Sequence, residues 1–473
     1  MYIGVNNAAR KIKNCYVGVD GVARKVKAVY VGVNGVARLV WQSGLKFVSR
    51  YIYCKTGSTS ISLHNYDDDN TTKIAGSIIE SYNSEKLSCG ILCRVYSSVQ
   101  TYTSCYDKFD SIQRLTIDDN NNITKIERID YNKGYSEPNY YRLTSCPVYL
   151  ELGNYLFMVL DDATQTGSIS RKYSVVDWSG NTLCSLDYLI PGAMSVQTPE
   201  SGVVFFDSVV VVTSNCSQQA KLGVIQFNGS SLSQTYYNLT YVDSANKSYA
   251  IWPTDNYSMV IKRLSNNTGL VTFHGGCYSS ETTASNFVIP FRINNDNTLS
   301  FGKTLCFGSS TQTYGNFDIP IFAFDNNHAI VCAKHYSYGT SSNGYTSYYY
   351  QQVLYALYID NNLNISITDT YNIYDKTPLS FSKGYTLRQI GRSYNFGFGD
   401  SNTSKECGVF LYKLDIDTNK IVYLGKFLPE TKETNMSYIY DFTPLSDDKI
   451  FMTSYGTSST SSTPLYATVC KFA

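Results

Sequence analysis

The chain has 473 residues, which at roughly 100–200 residues per domain leaves room for several units or for one large β unit with an appendage. Its net charge is +1, so no overall field draws it to nucleic acid or to an acidic surface. Tyr (43) and Phe (22) are abundant and only 16% of residues are charged, which favours strands and turns, while 43% hydrophobic residues exclude general disorder.

The start of the chain has no apolar stretch of signal-peptide length, and the apolar runs 203–206 and 209–212 are too short to span a bilayer. The 13 cysteines lack paired short spacings, so we interpret them as reduced thiols in strands and expect synthesis in a reducing cytoplasm. Because only 4 histidines are present, we predict no Cys/His zinc site. No Walker loop or H-E-x-x-H motif is present in the sequence, and we predict no other metal site and no cofactor.

A repeat with a period of 14 residues opens the chain. Residues 2–13, 16–27 and 30–41 read YIGVNNAARKIK, YVGVDGVARKVK and YVGVNGVARLVW. Each copy places Asn-Asn, Asp-Gly or Asn-Gly between two β-branched runs, and such pairs accept the positive φ values of a type I′ turn. Residues 1–44 are therefore predicted to form a module of three consecutive β-hairpins.

The repeats also concentrate positive charge. Residues 1–43 carry a net charge of +6, which leaves −5 for the remainder of the chain. In the third copy Leu39 and Trp41 replace two lysines and form an apolar patch of a kind that usually has a partner. We predict docking onto an acidic protein surface, with nucleic acid binding and a simple solvated face as alternatives. The predicted docking residues are Arg10, Lys11, Lys13, Arg24, Lys25, Lys27, Arg38, Leu39 and Trp41.

From residue 46 onward, two kinds of tight turn alternate between apolar-alternating strands. Asp/Asn-rich turns follow strands at 67–70, 118–122, 177–181, 228–231, 294–297, 360–362 and 417–419. The second kind precedes strongly apolar strands and begins near residues 85, 153, 207, 255, 326, 392 and 447. Units of about 58 residues with four short strands predict an all-β fold, in which a β-propeller over residues 45–473 follows the three-hairpin repeat module.

The order of the turns predicts how the ring closes. The first hairpin (61–80) has the pattern of an outer strand pair and the last (437–456) that of an inner pair, so one blade should combine strands from both ends of the chain. Two further strands, 47–54 and 465–472, would either extend that blade or belong to an eighth. Seven blades are the prediction and eight the alternative.

No catalytic constellation is recognisable. Residues 67–69 lack the spaced order of a calcium loop, and 265–269 resembles the Asp-box turn of sialidases only faintly. A glycosidase needs two carboxylates about 5–10 Å apart, and nothing in the sequence favours one pair among the available acids. We therefore expect no enzyme and name no catalytic residue. The acids considered are Glu127, Glu151, Glu200, Asp161 and Asp162.

Tyrosines cluster in segments that we place in the loops at the blade ends. A tyrosine ring adds contact area at low entropy cost and its hydroxyl adds a hydrogen bond, so such loops suit recognition of sugars or proteins. The alternative is that most of the 43 tyrosines lie on strand faces. The candidates for surface recognition are Tyr140, Tyr141, Tyr236 and Tyr237, with Tyr348 and Tyr349 from the run 338–350.

The repeats resemble a known group of sequences. The pattern Y-[VI]-G-V-[ND]-[GN]-[VA]-A-R-[KL]-[VI] over residues 2–41 is similar to N-terminal repeats on virion proteins from phages and prophages of Gram-positive anaerobic bacteria; the first copy has Asn7 and Ala8 where the other two have Gly and Val. The resemblance implies a tail, baseplate or fibre component that is attached to the particle by the repeats. It implies nothing about the ligand of the propeller.

Together these observations predict a phage virion structural protein in several symmetric copies, which attaches to other virion proteins through residues 1–44 and presents its propeller to a host-surface glycan or protein. We expect the virion as its location, and neither nucleic acid nor membrane as a partner. The alternatives are a capsid decoration or purely architectural virion protein, and a propeller glycan hydrolase that acts on the host envelope.

Overall fold

The computed structural model describes the backbone of strands between Tyr2 and Phe472. It describes side chains chiefly within 148–160, 172–188, 201–213, 219–253, 259–277, 286–306, 321–333, 353–372 and 411–424. Every regular element in this part of the chain is a β-strand, which confirms the predicted all-β class. Over the same part, no helix is long and apolar enough to cross a membrane.

The repeat segment forms three separate antiparallel hairpins, with two residues between the paired strands of each. Within the described strands, no hairpin pairs with another element. A two-stranded hairpin this short is marginally stable in water, so its apolar residues need a further surface on which to pack. The strands are β1 (Tyr2–Val5), β2 (Ala8–Lys11), β3 (Tyr16–Val19), β4 (Val22–Lys25), β5 (Ala28–Val33) and β6 (Val36–Gln42).

The described strands of the remaining chain form seven sheets of four or more strands and two short pairs. After β7 (Leu45–Cys54) and the short pair β8 (Ser60–Ile61) and β9 (Thr72–Lys73), sheet 1 contains β10 (Ser77–Ile79), β11 (Ser84–Lys86), β12 (Gly90–Tyr102), β13 (Cys105–Ile117) and β14 (Ile123–Gly134). The second short pair is β15 (Ser136–Glu137) and β16 (Tyr140–Tyr141). Sheet 2 contains β17 (Leu143–Leu152), β18 (Tyr155–Ala163), β19 (Ile169–Val176) and β20 (Thr182–Asp187). Sheet 3 contains β21 (Gly202–Phe205), β22 (Val209–Cys216), β23 (Gln219–Phe227) and β24 (Leu232–Asn238).

The later sheets repeat this pattern. Sheet 4 contains β25 (Thr240–Val242), β26 (Ser248–Pro253), β27 (Val260–Arg263), β28 (Thr268–Cys277), β29 (Ala284–Ile293), β30 (Leu299–Phe301) and β31 (Leu305–Phe307). Sheet 5 contains β32 (Ile321–Ala323), β33 (His328–Thr340), β34 (Thr346–Ile359) and β35 (Ile365–Asn372). Sheet 6 contains β36 (Leu387–Ile390), β37 (Asn395–Gly399), β38 (Val409–Asp415) and β39 (Lys420–Phe427). Sheet 7 combines β7 with β40 (Pro429–Glu430), β41 (Met436–Ser446), β42 (Lys449–Gly456) and β43 (Leu465–Phe472).

The seven sheets follow one another in a closed cycle. The inner strand of one sheet contacts that of the next along β17, β21, β27, β32, β36 and β41. Strand β41 then contacts β11 of sheet 1, and sheet 1 contacts β17 through β13 and β14. Meandering sheets whose inner strands meet in a cycle form a β-propeller, so this predicted fold is confirmed.

Sheet 7 joins the two ends of the chain. Strand β43 pairs with β42 on one side and with the N-terminal β7 on the other, and β40 lies parallel to the outer edge of β7. The outer strand of this sheet is therefore 45–54, and the prediction that hairpin 61–80 supplies it is wrong. Residues 60–61 instead pair with 72–73, and 77–79 pair with β12. The polar segment 67–70, which lies outside the described residues, resembles the other predicted turns in composition. It is nevertheless the longer strand 45–54 that pairs with β43.

The core lies between neighbouring sheets. Along Val209–Val212 of β22, Val210 and Val212 pack with Leu150 of sheet 2, while Val209 and Val211 pack with Phe273 of sheet 4. Successive residues of a strand point to opposite faces, so a strand covered on both faces is apolar at every position. This explains why the most apolar runs of the sequence are strands of a ring and not membrane segments.

One turn holds an aromatic residue in a strained conformation. Between β21 and β22, Phe206 and Asp207 have φ values of 53° and 54°, and the Ser208 N–H donates to the Phe205 carbonyl at 3.4 Å. These are features of a type I′ turn, which favours Asn, Asp or Gly. A left-handed conformation costs an ordinary residue roughly 1–2 kcal/mol. The Phe206 ring is 49% exposed, so its burial offsets little of that cost.

Replacing Phe206 by Asn should therefore stabilise the protein. We expect the free energy of unfolding, measured by urea denaturation, to rise by about 1 kcal/mol, because Asn accepts positive φ. Phe206→Ala is the matched control, since it removes the ring but keeps the unfavourable φ. If the Asn variant is no more stable than the Ala variant, backbone strain at this turn is not the cause.

Candidate functional site

The two ends of the ring differ in the length of their connections. Within the sheets, the first-to-second and third-to-fourth strands are joined by two to five residues, whereas links to the next sheet reach 14 residues, as between β20 and β21. Strand ends beside the short turns contact the neighbouring sheet: Arg292 Nη2 donates to the Asn361 carbonyl at 2.7 Å, and Arg263 Nη1 to the Val204 carbonyl at 3.2 Å. We call these the short-turn end and the long-connection end.

Carboxylates at the short-turn end cap their own turns. In sheet 5, Asp360 Oδ1 accepts hydrogen bonds from the N–H groups of Asn362 and Asn364, and Oδ2 accepts one from Asn364 Nδ2 at 2.8 Å. In sheet 2, Asp177 makes the same three bonds to residues 179 and 181. The Asn364 side chain and backbone hold the pKa of Asp360 below its ordinary value. These two carboxylates therefore stabilise their own turns through hydrogen bonds.

This capping predicts a pH dependence. A carboxyl whose pKa is lowered in the folded state stabilises the protein above its unfolded pKa, and this contribution is lost as pH falls through the folded pKa. Asp360→Asn keeps the caps but cannot titrate, so we expect its melting temperature to fall less than that of the wild type between pH 5 and about pH 2. Asp360→Ala should be less stable than both at pH 7. Identical acid profiles of wild type and Asn variant would contradict this.

A tyrosine-rich hairpin extends from sheet 5 at the long-connection end. Strand β32 pairs with β33 at residues 329–331, and β35 pairs with β34 at 353–359, whereas 334–340 and 346–352 pair only with each other within the described strands. At about 3.3 Å per residue, this two-stranded ribbon reaches roughly 20 Å beyond its sheet. Its register places Tyr336 opposite Tyr350, and Tyr338 opposite Tyr348.

A second hairpin lies at the same end, on sheet 4. Strand β26 pairs with residues 275–277, the part of β28 nearest its connection to β29, and β25 pairs with β26 so that Tyr241 faces Tyr249. The Tyr241 ring packs edge-on against Phe287, with 6.4 Å between the centroids. Lys247 Nζ lies 4.9 Å from the centroid of the Tyr249 ring. This hairpin is thus an aromatic surface fixed to the core.

Two of the predicted recognition residues do not lie in a loop, so their predicted placement is wrong. Tyr236 and Tyr237 belong to strand β24, not to a loop. The Tyr236 hydroxyl lies 3.0 Å from that of the buried Tyr173, and burial raises the pKa of Tyr236 to about 12. Its ring lies over its cross-strand partner Gly223, where a Cβ would come within 2.8 Å of it. Tyr237 packs against Phe301, so both tyrosines contribute to packing between sheets.

The other predicted recognition residues lie in strands whose backbone is described. Tyr140 and Tyr141 form β16, opposite Glu137 and Ser136 in the link between sheets 1 and 2. Tyr348 and Tyr349 lie in β34 on the ribbon. Because opposite residues share a face, Tyr349 and its partner Ser337 lie on the face opposite to Tyr348. The prediction missed Tyr336, which lies just outside the run 338–350, although Tyr336 and Tyr350 are equidistant from residue 343, as in a hairpin.

The predicted docking residues lie on the second strands of the three hairpins. Arg10 and Lys11 are in β2, Arg24 and Lys25 in β4, and Arg38, Leu39 and Trp41 in β6. Lys13 and Lys27 fall outside the described residues. The third hairpin alone has a register shift, since Val29 faces Trp41 while the next residue, Tyr30, faces Leu39. The apolar substitutions therefore coincide with a local change in strand geometry.

Of the acids considered for catalysis, Glu127 is paired with an arginine. Arg114 Nε donates to Glu127 Oε2 at 2.5 Å, and the Arg114 guanidinium lies 3.8 Å from the centroid of the Trp178 ring, between sheets 1 and 2. Glu151 lies in β17 and 161–162 in β18, while residue 200 is outside the described part. The described His, Cys, Asp and Glu side chains include no group of three that could hold a metal ion.

No protein-family model matches the chain, and no curated protein matches it. Among solved structures it is similar to the β-propeller domain of the Trilobed protease from Pyrococcus furiosus (TM-score 0.41, 10% identity, covering 83% of this chain and 95% of that one). It is also similar to the Dos1 propeller (0.40, 10%, 89% and 95%) and to Trypanosoma rangeli sialidase (0.36, 9%, 88% and 60%). At such identities and TM-scores, these likenesses assign neither an activity nor a ligand to this chain.

Proposed function

We propose that the chain is a phage virion structural protein that attaches to the tail or baseplate through its N-terminal hairpins and presents a propeller for host-surface recognition. The triplicated segment is the observation that carries this proposal. Its sequence is similar to N-terminal repeats of virion proteins, and each copy pairs as a short hairpin that needs a further surface for stability. Three weak contacts on one chain, multiplied over symmetric copies, give firm attachment.

The propeller in this proposal has seven blades, one for each large sheet. Six sheets come from consecutive stretches of chain, and the seventh combines β7 with β41–β43. Pairing between the chain ends closes the ring without an exposed sheet edge at the seam. Such closure suits a domain outside the cell, because the ring can open only if those strands separate.

Recognition rather than catalysis is proposed for the propeller. The carboxylates Asp177 and Asp360 at the short-turn end cap turns, and Glu127 is bonded to Arg114. At the long-connection end, by contrast, two hairpins carry tyrosines in cross-strand register. Rings with one hydroxyl each suit binding to a surface more than acid–base chemistry.

The location can be tested on particles. Phage particles purified from lysates of the strain that carries the gene would be labelled with gold-conjugated antibody against residues 46–473 and examined by electron microscopy. Label at the tail tip or baseplate is expected. Label on the head would favour capsid decoration, and particles without label would contradict the virion role. Sugar release from purified host cell wall by the protein would favour the hydrolase.

A further inference from the structure

The β33–β34 ribbon presents two faces of different composition. In a two-stranded ribbon, residues two apart on one strand and their cross-strand partners share a face. The register therefore gathers Tyr336, Tyr338, Tyr348 and Tyr350 on one face, in two rungs of paired tyrosines. The opposite face holds residues 335, 337 and 339 with 347, 349 and 351, among which Tyr349 is the single tyrosine.

The ribbon carries one Lys, Arg, Asp or Glu residue, Lys334, which lies at its base opposite Gln352 and on the same face as the two rungs. From Tyr336 to Ile359 the sequence contains no Asp, Glu, Lys or Arg, and the residues other than tyrosine from 336 to 352 are Ser, Thr, Asn, Gly and Gln. The corresponding hairpin of sheet 1 is ordinary in this respect, since its strands carry Arg94, Asp107, Lys108 and Asp110. Exposed surfaces normally carry such charges for solubility, so a projecting hairpin with a single one at its base indicates a particular partner.

The composition of the ribbon indicates which class of partner it can bind. Aromatic faces offer apolar contact, while phenol, hydroxyl and amide groups offer neutral donors and acceptors. A partner bearing charge would meet no opposite charge on the two tyrosine rungs and would lose hydration there without compensation. A protein epitope usually brings charged side chains to the rim of the contact, whereas a neutral carbohydrate brings apolar C–H faces and hydroxyls alone.

We propose that the Tyr336/Tyr350 and Tyr338/Tyr348 rungs form a binding site for a neutral oligosaccharide chain. This inference deepens the proposed host-recognition function and rests on it for its biological setting. The Tyr241/Tyr249 pair of the β25–β26 hairpin is not part of the site, because Tyr241 packs against the core.

The test uses the full-length protein on a printed array of neutral oligosaccharides built from hexoses, deoxyhexoses and N-acetylhexosamines, with sialylated and uronic-acid chains for comparison. Binding to one or more neutral chains is expected. The Tyr338→Ser/Tyr348→Ser variant should weaken that binding at least about tenfold, and the Tyr338→Phe/Tyr348→Phe variant less, because it keeps both rings. Tyr349→Ser is the matched control and should bind as the wild type does.

Every other outcome counts against the site. Binding confined to acidic chains, equal binding by all variants, or capture of a host protein without any oligosaccharide binding would overturn the proposal. Because cross-strand aromatic pairs generally stabilise hairpins, thermal unfolding of each variant is measured, and the Phe variant keeps the test valid if the Ser variant unfolds. The array needs no particle and the gold labelling needs no sugar, so a failure of this inference and a failure of the virion role are distinguishable.

Discussion

Replacing Val469 by Asp is expected to unfold the ring. Val469 is fully buried in β43, opposite Phe451 of β42 on one side and Ser49 of β7 on the other. An uncompensated buried carboxylate costs roughly 3–5 kcal/mol, a large part of the total stability of about 5–15 kcal/mol. The effect should exceed this local cost, because β43 is the strand that joins the C-terminal sheet to the N-terminal β7. We expect a large fall in the urea midpoint, or no folded protein.

Val422→Asp is the matched control for this substitution. Val422 lies in β39, an outer strand of sheet 6, and its side chain is 42% exposed. The same change there should alter the free energy of unfolding by about 0.5 kcal/mol or less. If both variants unfold at the same urea concentration, the pairing of β7 with β43 does not hold the ring closed. Val469→Ala adds a milder variant that folds well enough to be measured if the Asp variant does not.

The repeating pattern of turns made the fold predictable from sequence. Alternating apolar strands and Asp/Asn-rich turns depend on local chemistry, namely capping by residues such as Asp177 and Asp360, so their positions can be read along the chain. It is harder to predict which turns lie within a sheet and which segments link one sheet to the next. The sequence predicts a hairpin turn near residue 255, but residues 260–263 form the inner strand of sheet 4 and its hairpin turn lies at 264–267.

Side-chain exposure could not be predicted in the same way. Tyr236 and Tyr237 look like any exposed tyrosine pair in the sequence, and only the packing of sheets 2, 3 and 4 shows them in contact with Tyr173 and Phe301. The tyrosine run 338–350 was recognised by composition. Its division into two faces depends on cross-strand register, which is set by the length of the turn and so is not visible in composition.

Shortening the repeat segment should reduce attachment in steps. Deleting residues 2–15 removes the first hairpin, and deleting 2–27 removes the first two while leaving β5 and β6 complete. If the hairpins bind one particle together, each loss should lower the apparent affinity by a factor of about 100 or more, because linked contacts multiply. The measurement is the number of copies per purified particle, determined by quantitative mass spectrometry. Unchanged copy number after removal of two hairpins would contradict attachment through the module.

The salt dependence of attachment should distinguish the contribution of the third hairpin from that of the first two. Leu39→Asp with Trp41→Ser should abolish incorporation at any ionic strength, because apolar contacts are not screened, whereas Arg10→Gln with Lys11→Gln should weaken it only at low salt, where exposed charges act. Both pairs lie outside the sheets of the ring in the described strands, so propeller unfolding should not change. Equal salt dependence of the two variants would mean that the apolar residues do not form a contact of their own. If the two variants differ as expected, the first two hairpins supply electrostatic attraction and the third supplies the apolar contact.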